Sequence, residues 1–365
     1  MSNSNPVELR FLSQEDALEA GLVDMDRCVK TMKDVFELYN VGHVKMGNPG
    51  QDMHGHVTSF SGDADHAEGL EPGPDRRFSA MPAYVGGEIN AMGIKWYGSN
   101  VTNPEKRDLP RSIHTITLND PNSCKPVCII DGQAASAMRT GAVTGVGARQ
   151  VQGDRATTAT IVGPGVIGQT ATLGLDSALD SLETIRIHHP ELTKAEAFQQ
   201  EMQADVETDI VPDDSAEDAI SSADVIVVAA TGSPPPTVKG TWLTEDSLVI
   251  PLGDARLSIE AFDRDRIFCD IIENTLDFAK ALDWQAFTAV ADAVGDSVKR
   301  SDLRTLHELV GGEDTGPTDG RSIFYSPGLP MEDVAWASEV YERAEKQDLG
   351  QIVTMFTEPY FEKPY

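Results

Sequence analysis

The run Thr160–Gly168, TIVGPGVIG, constrains the fold of this chain more than any other segment. It places a G-x-G-x-x-G pattern directly after a short apolar stretch and directly before a segment of helical composition. In that context the first glycine permits a tight turn, the second lets a pyrophosphate approach the backbone, and the third lets the helix pack closely on the strand. The start of the helix then faces the anion. The candidate cofactor contacts are Gly163, Pro164, Gly165, Val166, Ile167 and Gly168.

Two patterns of secondary structure divide the chain. From about residue 132, helix and strand patterns alternate, which is typical of a parallel sheet with helices on both faces. The earlier residues read as α+β: a helical pattern covers residues 14–40, and strands are expected at Ile113–Leu118 and Pro126–Asp131. After about Arg321 a further helix is expected, ending at Gly350. The strands expected in the alternating part are Ala159–Val162, Thr184–His188, Val225–Ala230, Leu248–Leu252 and Arg266–Cys269.

A pattern of period two begins at Glu88. Met92, Ile94 and Trp96 share one face of the resulting strand, and we expect that face to point to the core. Lys95 lies on the opposite face, away from the expected core.

Length and charge limit the classes of function. The 365 residues suffice for about two domains, and 59 acidic against 29 basic residues give a net charge of -30. That charge repels nucleic acids and anionic membranes. Because salt screens the repulsion between carboxylates, we hypothesise a cytosol rich in salt; an ordinary acidic protein is the alternative.

The sequence also indicates a compartment. The N-terminus has neither the basic nor the apolar region of a signal peptide, and no window resembles a transmembrane helix, so we expect a cytoplasmic protein. Its four cysteines are too few for a disulfide framework. They also lack the spacing of a zinc site, and His54, His56 and His66 form only a weak metal candidate, so no metal is expected.

Arg139 is the only charged residue in Gln133–Ala148, a segment composed mostly of small side chains. Small side chains let a helix pack tightly, and a cation in such a helix needs an anion. A guanidinium presents a planar fork that suits a carboxylate. The anion is either a buried carboxylate of the protein or, in the functional interpretation, the carboxylate of a substrate.

Two further positions lie at predicted strand ends. Asp254 follows an expected strand of the parallel sheet, and ligands of such sheets bind outside that edge. His188 and His189 stand where an acidic residue would normally accept hydrogen bonds from the adenosine ribose of NAD(H), which favours NADP(H). Alternatively, the histidines merely close the strand. Thr231, after the third expected strand, completes the candidate cofactor contacts.

The chain resembles the ornithine cyclodeaminase and mu-crystallin family over nearly its whole length. The resemblance is carried by Met81–Tyr84, Gly93–Trp96, Arg139–Ala142, the glycine turn, Gly253-Asp254 with Glu260, and Phe324-x-Ser326-x-Gly328 leading to Glu332-Asp333. The chain departs from the family after Asp254, where Ala255–Ser258 replaces a common Pro-Gly-Lys. The resemblance implies an α/β fold, with a Rossmann-type doubly wound parallel sheet at 132–320 inserted into a substrate and dimerisation domain at 1–131 and 321–365.

The resemblance also implies residue roles and a homodimer. Lys95 and Arg139 hold the α-carboxylate of the substrate, with Arg77 or Arg76 as a further arginine, and Asp254 handles protons and the amine. The implied activity is an NAD(P)-dependent amino acid dehydrogenase or cyclodeaminase, which can convert ornithine to proline with loss of ammonia. Alternatives are a reductase of cyclic ketimines, a dehydrogenase of N-substituted amino acids, and a mu-crystallin-like protein that binds a ligand without turnover.

Overall fold

The computed structural model describes residues 6–47, 55–59, 76–230, 234–282, 284–312 and 319–361. Up to residue 131 its elements are β1 (Val7–Leu12), α1 (Gln14–Glu19), α2 (Met25–Asn40), β2 (Val44–Met46), β3 (His56–Ser59), β4 (Arg77–Val85), β5 (Ala91–Ser99), α3 (Asn103–Arg107), β6 (Ser112–Asn119) and β7 (Pro126–Asp131). The next are α4 (Gly132–Gln152), β8 (Thr158–Val162), α5 (Val166–Ala178), β9 (Thr184–His188), α6 (Leu192–Met202), β10 (Asp209–Asp213), α7 (Ala216–Ser221), β11 (Val225–Val228) and β12 (Leu248–Pro251). The last are β13 (Ile267–Cys269), α8 (Ile272–Leu282), α9 (Gln285–Ala293), β14 (Leu303–Thr305), α10 (Leu306–Val310), β15 (Ser322–Tyr325), α11 (Pro330–Lys346) and β16 (Gln351–Phe356).

The chain forms two compact units. The mixed-sheet unit comprises Met1–Asp24, Gly42–Ser136 and Leu329–Tyr365, and the parallel-sheet unit comprises Met25–Val41 and Ala137–Gly328. None of the helices in the described residues combines the length and the apolar composition needed to cross a membrane.

The mixed-sheet unit is built on eight described strands in the order β16-β1-β7-β6-β5-β4-β2, with β3 added to β4. The pair β1 and β7 is parallel, and the other pairs are antiparallel. Helix α11 packs on β4, β5 and β6. Its Trp336 and Val340 are fully buried, as are Met81 and Ile116 of the sheet.

The burial of β5 corrects the face that the sequence pattern predicted for the core. Lys95 is 2% exposed and lies on the face that α11 covers, whereas Trp96 is 50% exposed. The strand does alternate with a period of two, but its more apolar face is not the face that is buried. The Lys95 face is buried because a buried carboxylate on α11, described below, compensates its charge.

The parallel-sheet unit has the doubly wound architecture that the alternation predicted. Its eight described strands follow the order β10-β9-β8-β11-β12-β15-β13-β14, and every pair is parallel. Helices α4 and α5 cross at very short range, since a Cβ on Gly141 would lie 2.0 Å from the carbonyl oxygen of Thr170. A Cβ on Gly174 would lie 2.0 Å from the carbonyl oxygen of Gly141. The small residues around Arg139 therefore permit close helix packing.

Several boundaries differ from the sequence predictions. The helical pattern at 14–40 is two helices, separated by a turn in which Gly21 has φ +86°. Helix α11 ends at Lys346, and Asp348, with φ 55°, follows it in the left-handed region, so Gly350 is not its cap. Strand β15 was assigned to the substrate domain, but it joins the parallel sheet between β12 and β13.

Helix α2 was also assigned to the substrate domain, and it belongs to the parallel-sheet unit. It packs on α5 and α10, burying Met32, Val35 and Phe36. An amphipathic pattern predicts that a helix has a buried face, but it does not predict which element covers that face.

Candidate active site

The glycine turn lies between β8 and α5, the context that the motif requires. Gly163 has φ +111°, and a Cβ there would lie 2.7 Å from the backbone nitrogen of Ala230 on the neighbouring strand connection. A Cβ on Gly168 would lie 2.2 Å from the carbonyl oxygen of Gly163. These two glycines therefore allow the turn and the close approach of helix and strand.

The middle of the turn fits a dinucleotide pyrophosphate. A Cβ built on Gly165 meets no atom within 4 Å, so this position is open to a ligand. Gly165 is also the N-cap of α5 and has no side chain to satisfy the amide groups of the first turn. Exposed amides at the start of a 13-residue helix form a suitable cradle for phosphate oxygens.

The end of β9 lies beside this turn, because the amide of Gly163 donates to the carbonyl of His188 at 3.1 Å. His188 is 7% exposed, with its Nδ1 3.2 Å from the carbonyl oxygen of Asp213. Burial lowers the pKa of His188. His189 accepts a 2.9 Å hydrogen bond at Nδ1 from the amide of Glu191, so in this arrangement Nε2 carries the proton and can donate.

The sequence analysis also assigned site residues after the next two strands, Thr231 and Asp254. Thr231 lies outside the described residues. Asp254 is half-buried after β12, and its Oδ1 accepts a long hydrogen bond of 3.5 Å from the amide of Ala286, in the first turn of α9.

Lys95 lies in the interior of the mixed-sheet unit. Its Nζ is 2.7 Å from Oδ2 of Asp333 on α11, and both side chains are almost completely buried. Nζ also donates to Oγ of Ser136 at 3.1 Å. The carboxylate supplies a counter-charge to the lysine in the interior, and the hydroxyl fixes the direction of its side chain.

Arg77 and Lys95 both lie close to the ring of Tyr97. The ring centroid of Tyr97 is 5.9 Å from Cζ of Arg77 and 5.4 Å from Nζ of Lys95. Burial raises the pKa of Tyr97, but the charges of Arg77 and Lys95 act in the opposite direction, and the net effect is a lowered pKa. The sequence analysis did not single out Tyr97, although its place two residues after Lys95 assigns it to the same strand face.

Arg139 lies in the parallel-sheet unit and is 6% exposed. Its guanidinium lies against Gly328, since a Cβ there would be 2.1 Å from Nη1. Gly328 has φ +94°, a conformation that suits glycine. The motif residue Gly328 therefore leaves space for the guanidinium.

A buried polar network that the sequence does not predict holds the Gly328 loop. Asp270 is fully buried; its Oδ2 accepts from the amide of Gly328 at 3.3 Å and from Nδ2 of Asn274 at 3.1 Å. Nδ2 of Asn274 also donates to the carbonyl of Gly328 at 3.3 Å. In a chain with 59 acidic residues, nothing local in the sequence marks Asp270 as buried.

Comparison with known proteins agrees with these motifs. The model of the ornithine cyclodeaminase/mu-crystallin family matches residues 23–348. The chain belongs to this family.

Several relatives are dehydrogenases or reductases of amino acids or imines, according to their names. One is the N-((2S)-2-amino-2-carboxyethyl)-L-glutamate dehydrogenase of Staphylococcus aureus, 26% identical over 77% of this chain and 82% of the relative. Another is the alanine dehydrogenase of Archaeoglobus fulgidus, 25% identical over 96% of this chain and 99% of the relative. The fold matches that of Delta(1)-pyrroline-2-carboxylate reductase of Thermococcus litoralis with NADH and L-proline, at a TM-score of 0.77, 22% identity, and coverage of 94% and 99%.

Proposed function

We propose that this chain is an NAD(P)-dependent oxidoreductase of α-amino acids, similar to ornithine cyclodeaminase. The observation that carries the proposal is the open glycine turn at the start of α5, in a chain of this family. A bound nicotinamide supplies hydride transfer at the α-carbon of the substrate. Gly163–Gly168 hold the pyrophosphate, and His188, His189 and Thr231 contact the adenosine end.

The protein side chains bind and orient the substrate. Arg139 and Lys95 hold the α-carboxylate, and Arg77 adds a third cation. Fixed orientation of the reacting carbon can lower a barrier by about 7 kcal/mol or more in well-positioned systems. Asp254 takes the proton of the α-amine as the substrate becomes an imine, and returns it in the reverse direction.

The proposed substrate-binding and proton-transfer residues are compatible with two reactions, cyclisation and simple dehydrogenation. Attack of a side-chain amine on the imine carbon and loss of ammonia would give a cyclic imine, and return of the hydride to the same carbon would then give a cyclic amino acid such as proline without net oxidation. Without that attack, the chain is a dehydrogenase, and in the reverse direction a reductase of cyclic ketimines or an N-substituted amino acid dehydrogenase. Reduction of ketimines is the second candidate, favoured by the structural match to a pyrroline-2-carboxylate reductase.

A panel of amino acids and cyclic ketimines tests the proposal. Turnover is followed at 340 nm with both cofactors, and proline formation from ornithine is assayed separately. Arg139→Ala should lose activity without a change in cofactor affinity, whereas the exposed Arg107→Ala should have no effect. Cofactor binding without turnover of any member would instead favour a ligand-binding protein like mu-crystallin.

The cofactor preference proposed is NADP(H). Nε2–H of His189 can donate to a 2′-phosphate, and the nearby carboxylate of Glu191 is bound to Nζ of Lys194 at 2.8 Å. That pairing reduces repulsion of the phosphate. A lower Michaelis constant for NADP(H) than for NAD(H) is expected, and equal constants would remove the preference.

A homodimer is proposed through the sheet face opposite α11. This face exposes Phe78, Trp96 and Ile113 by 41%, 50% and 50%, and the rings of Phe78 and Trp96 stack at 5.8 Å. Neighbouring exposed apolar groups are typical of an interface. Sedimentation equilibrium should give a dimer that Trp96→Glu dissociates.

A cytoplasm rich in salt is proposed from the charge of -30. Salt screens the repulsion between surface carboxylates, so the melting temperature should rise between dilute buffer and molar KCl. An unchanged melting temperature would reject the proposal.

A further inference from the structure

The loop after β15 lies at the carboxyl edge of the parallel sheet. Strands β13 and β15 pair in parallel, and their last residues, Cys269 and Tyr325, lie side by side. Asp270 directly follows β13, and its amide donates to the carbonyl of Tyr325 at 2.9 Å. Gly328 follows the end of β15. Because ligands of such sheets bind outside this edge, both segments lie where a substrate is expected.

Both backbone polar groups of Gly328 are bound to side chains at the start of α8. Its amide donates to Oδ2 of Asp270 at 3.3 Å, and its carbonyl accepts from Nδ2 of Asn274 at 3.3 Å. Nδ2 of Asn274 also donates to Oδ2 of Asp270 at 3.1 Å, so the two side chains hold each other. These hydrogen bonds close a ring. Asp270 and Asn274 are called the Gly328 clamp below.

The side-chain amide of Asn274 has only one favourable orientation in the clamp. Nδ2 lies between a carbonyl oxygen and a carboxylate oxygen, so the opposite orientation would place oxygen against oxygen. Asn274 is 1% exposed, and its Oδ1 has no hydrogen-bond partner among the described residues. A buried acceptor without a partner lowers stability. Such a loss is typical of a residue that serves function as well as folding.

The clamp fixes the loop against which Arg139 lies. A Cβ on Gly328 would be 2.1 Å from Nη1 of Arg139 and 2.8 Å from Cζ and from Nη2, so the whole guanidinium faces this backbone. An arginine side chain has many rotamers, and a neighbour whose amide and carbonyl are both bound limits them. The direction of the guanidinium therefore depends on the position of Gly328, which the clamp sets.

We propose that Asp270 and Asn274 are positioning residues, which hold Gly328 against Arg139 and so set the direction in which the guanidinium meets the substrate carboxylate. This inference rests on the proposed function, in which Arg139 binds the α-carboxylate. In this role the clamp does not need to touch the substrate, because it acts through Gly328. Its loss should weaken binding of a carboxylate much more than binding of the cofactor, whose glycine turn lies between β8 and α5.

The test measures binding of L-proline and of L-prolinamide to the protein loaded with reduced cofactor, by titration calorimetry. L-proline and a reduced cofactor cannot exchange a hydride, so binding is measured without turnover. Prolinamide lacks the carboxylate. In Asn274→Ala the dissociation constant of L-proline should rise about ten-fold, while those of prolinamide and of the cofactor should change less than about two-fold.

Thr275→Ala is the matched control, because Thr275 is the next residue of α8 and is fully buried. It should lower the melting temperature as Asn274→Ala does, and it should leave the affinity for L-proline unchanged. If Asn274→Ala fails to fold, Asn274→Leu fills the same space without a donor and should also weaken binding of L-proline.

A double-mutant cycle shows whether Asn274 acts through Arg139. Arg139→Lys keeps a positive charge but loses the planar fork that the clamp directs. In that background, Asn274→Ala should weaken binding of L-proline by less than about two-fold. A loss of about ten-fold in both backgrounds would overturn the proposal, because the two residues would then act independently.

A second readout does not depend on the substrate. In protein labelled with ¹⁵N-arginine, the Nε–H signal of Arg139 is identified by its absence from Arg139→Lys. This signal should shift and broaden in Asn274→Ala and stay the same in Thr275→Ala. An unchanged signal in Asn274→Ala would overturn the clamp.

The outcomes separate this inference from the proposed function. An unchanged affinity for L-proline in Asn274→Ala, where Arg139→Lys weakens it, would overturn the clamp and retain the role of Arg139 in binding. A changed Arg139 signal, without binding of L-proline and without turnover of any amino acid or ketimine, would retain the positioning of Arg139 and reject the proposed function.

Discussion

Two buried cations, Lys95 and Arg139, are accommodated in different ways. Lys95 lies on a sheet under a helix, and Asp333 of that helix supplies a counter-charge at 2.7 Å. Arg139 lies on a helix of small residues, and its guanidinium occupies space that Gly328 leaves empty of side chain. In the first arrangement a carboxylate on a neighbouring helix lies beside the cation, and in the second the lack of a side chain at Gly328 leaves space for it.

This difference has consequences for stability and for binding. Removing the partner of a buried charge lowers the stability of the protein strongly, because the remaining ion stays desolvated. A charge placed against a glycine loop is sensitive to the volume of its neighbour. The two cations should therefore respond to different substitutions.

The largest effect is expected from Asp333→Ala. This change leaves Lys95 buried without its carboxylate and should lower the free energy of unfolding by about 3–5 kcal/mol, measured by urea denaturation. The double variant Lys95→Met/Asp333→Leu removes both charges and should recover most of the loss.

A matched control is the exposed ion pair of Lys30 and Asp34, whose N–O distance of 2.6 Å is nearly the same. Asp34→Ala should cost about 0.5 kcal/mol or less. If Asp333→Ala cost no more than Asp34→Ala, the buried pair would not be the element that fixes Lys95.

Gly328→Ala should have the next largest effect. The new Cβ would overlap the guanidinium of Arg139, so kcat/KM should fall about ten-fold or more while the dissociation constant of the cofactor stays the same. Gly295→Ala is the control, because Gly295 has φ +93° and open space around it. Both changes should cost about 1 kcal/mol of stability from backbone strain. An equal effect of both on kcat/KM would contradict a role of Gly328 in placing Arg139.

These two cations also show which parts of the site could be predicted from sequence. The burial of Arg139 in a closely packed helix could be predicted, because the small residues that let α4 pack closely are adjacent in the chain, whereas its role in binding stays a prediction. The glycine turn was found for the same reason, since its geometry depends on a few consecutive residues. The alternation of helices and strands likewise predicted the parallel sheet.

Features that depend on distant residues could not be predicted. The face of Lys95 was assigned wrongly because Asp333, which permits its burial, lies in a helix near the other end of the chain. Strand β15 and helix α2 were assigned to the other domain because their sheet and helix partners are not encoded locally. Asp270 was missed because an acidic residue carries no signal of its burial in so acidic a sequence.

A smaller, pH-dependent effect is expected at Tyr97, next to Lys95. Because its folded pKa is below the ordinary 10.0, its stabilising contribution is complete above pH 10 and is lost as the pH falls through the folded value. The stability of the parent protein relative to Tyr97→Phe should therefore increase towards pH 10, as measured by denaturation at several pH values. Tyr341 is the control, because burial raises its pKa to about 12. The stability of the parent protein relative to Tyr341→Phe should therefore not increase over that range and should begin to fall near pH 10, the opposite sign to Tyr97.

The smallest effect is expected at the buried cysteine thiols, which stay uncharged. Cys128 and Cys269 are buried, and burial, the largest influence on each thiol, raises its pKa to about 12. They should stay neutral and unreactive, since the thiolate is the nucleophile. Cys124 is exposed and Cys28 is buried, so a disulfide reagent should modify one thiol in the native protein and all four after unfolding. Rapid modification of a second native thiol would mean that burial alone does not protect these groups, and Cys124→Ser identifies the reactive residue.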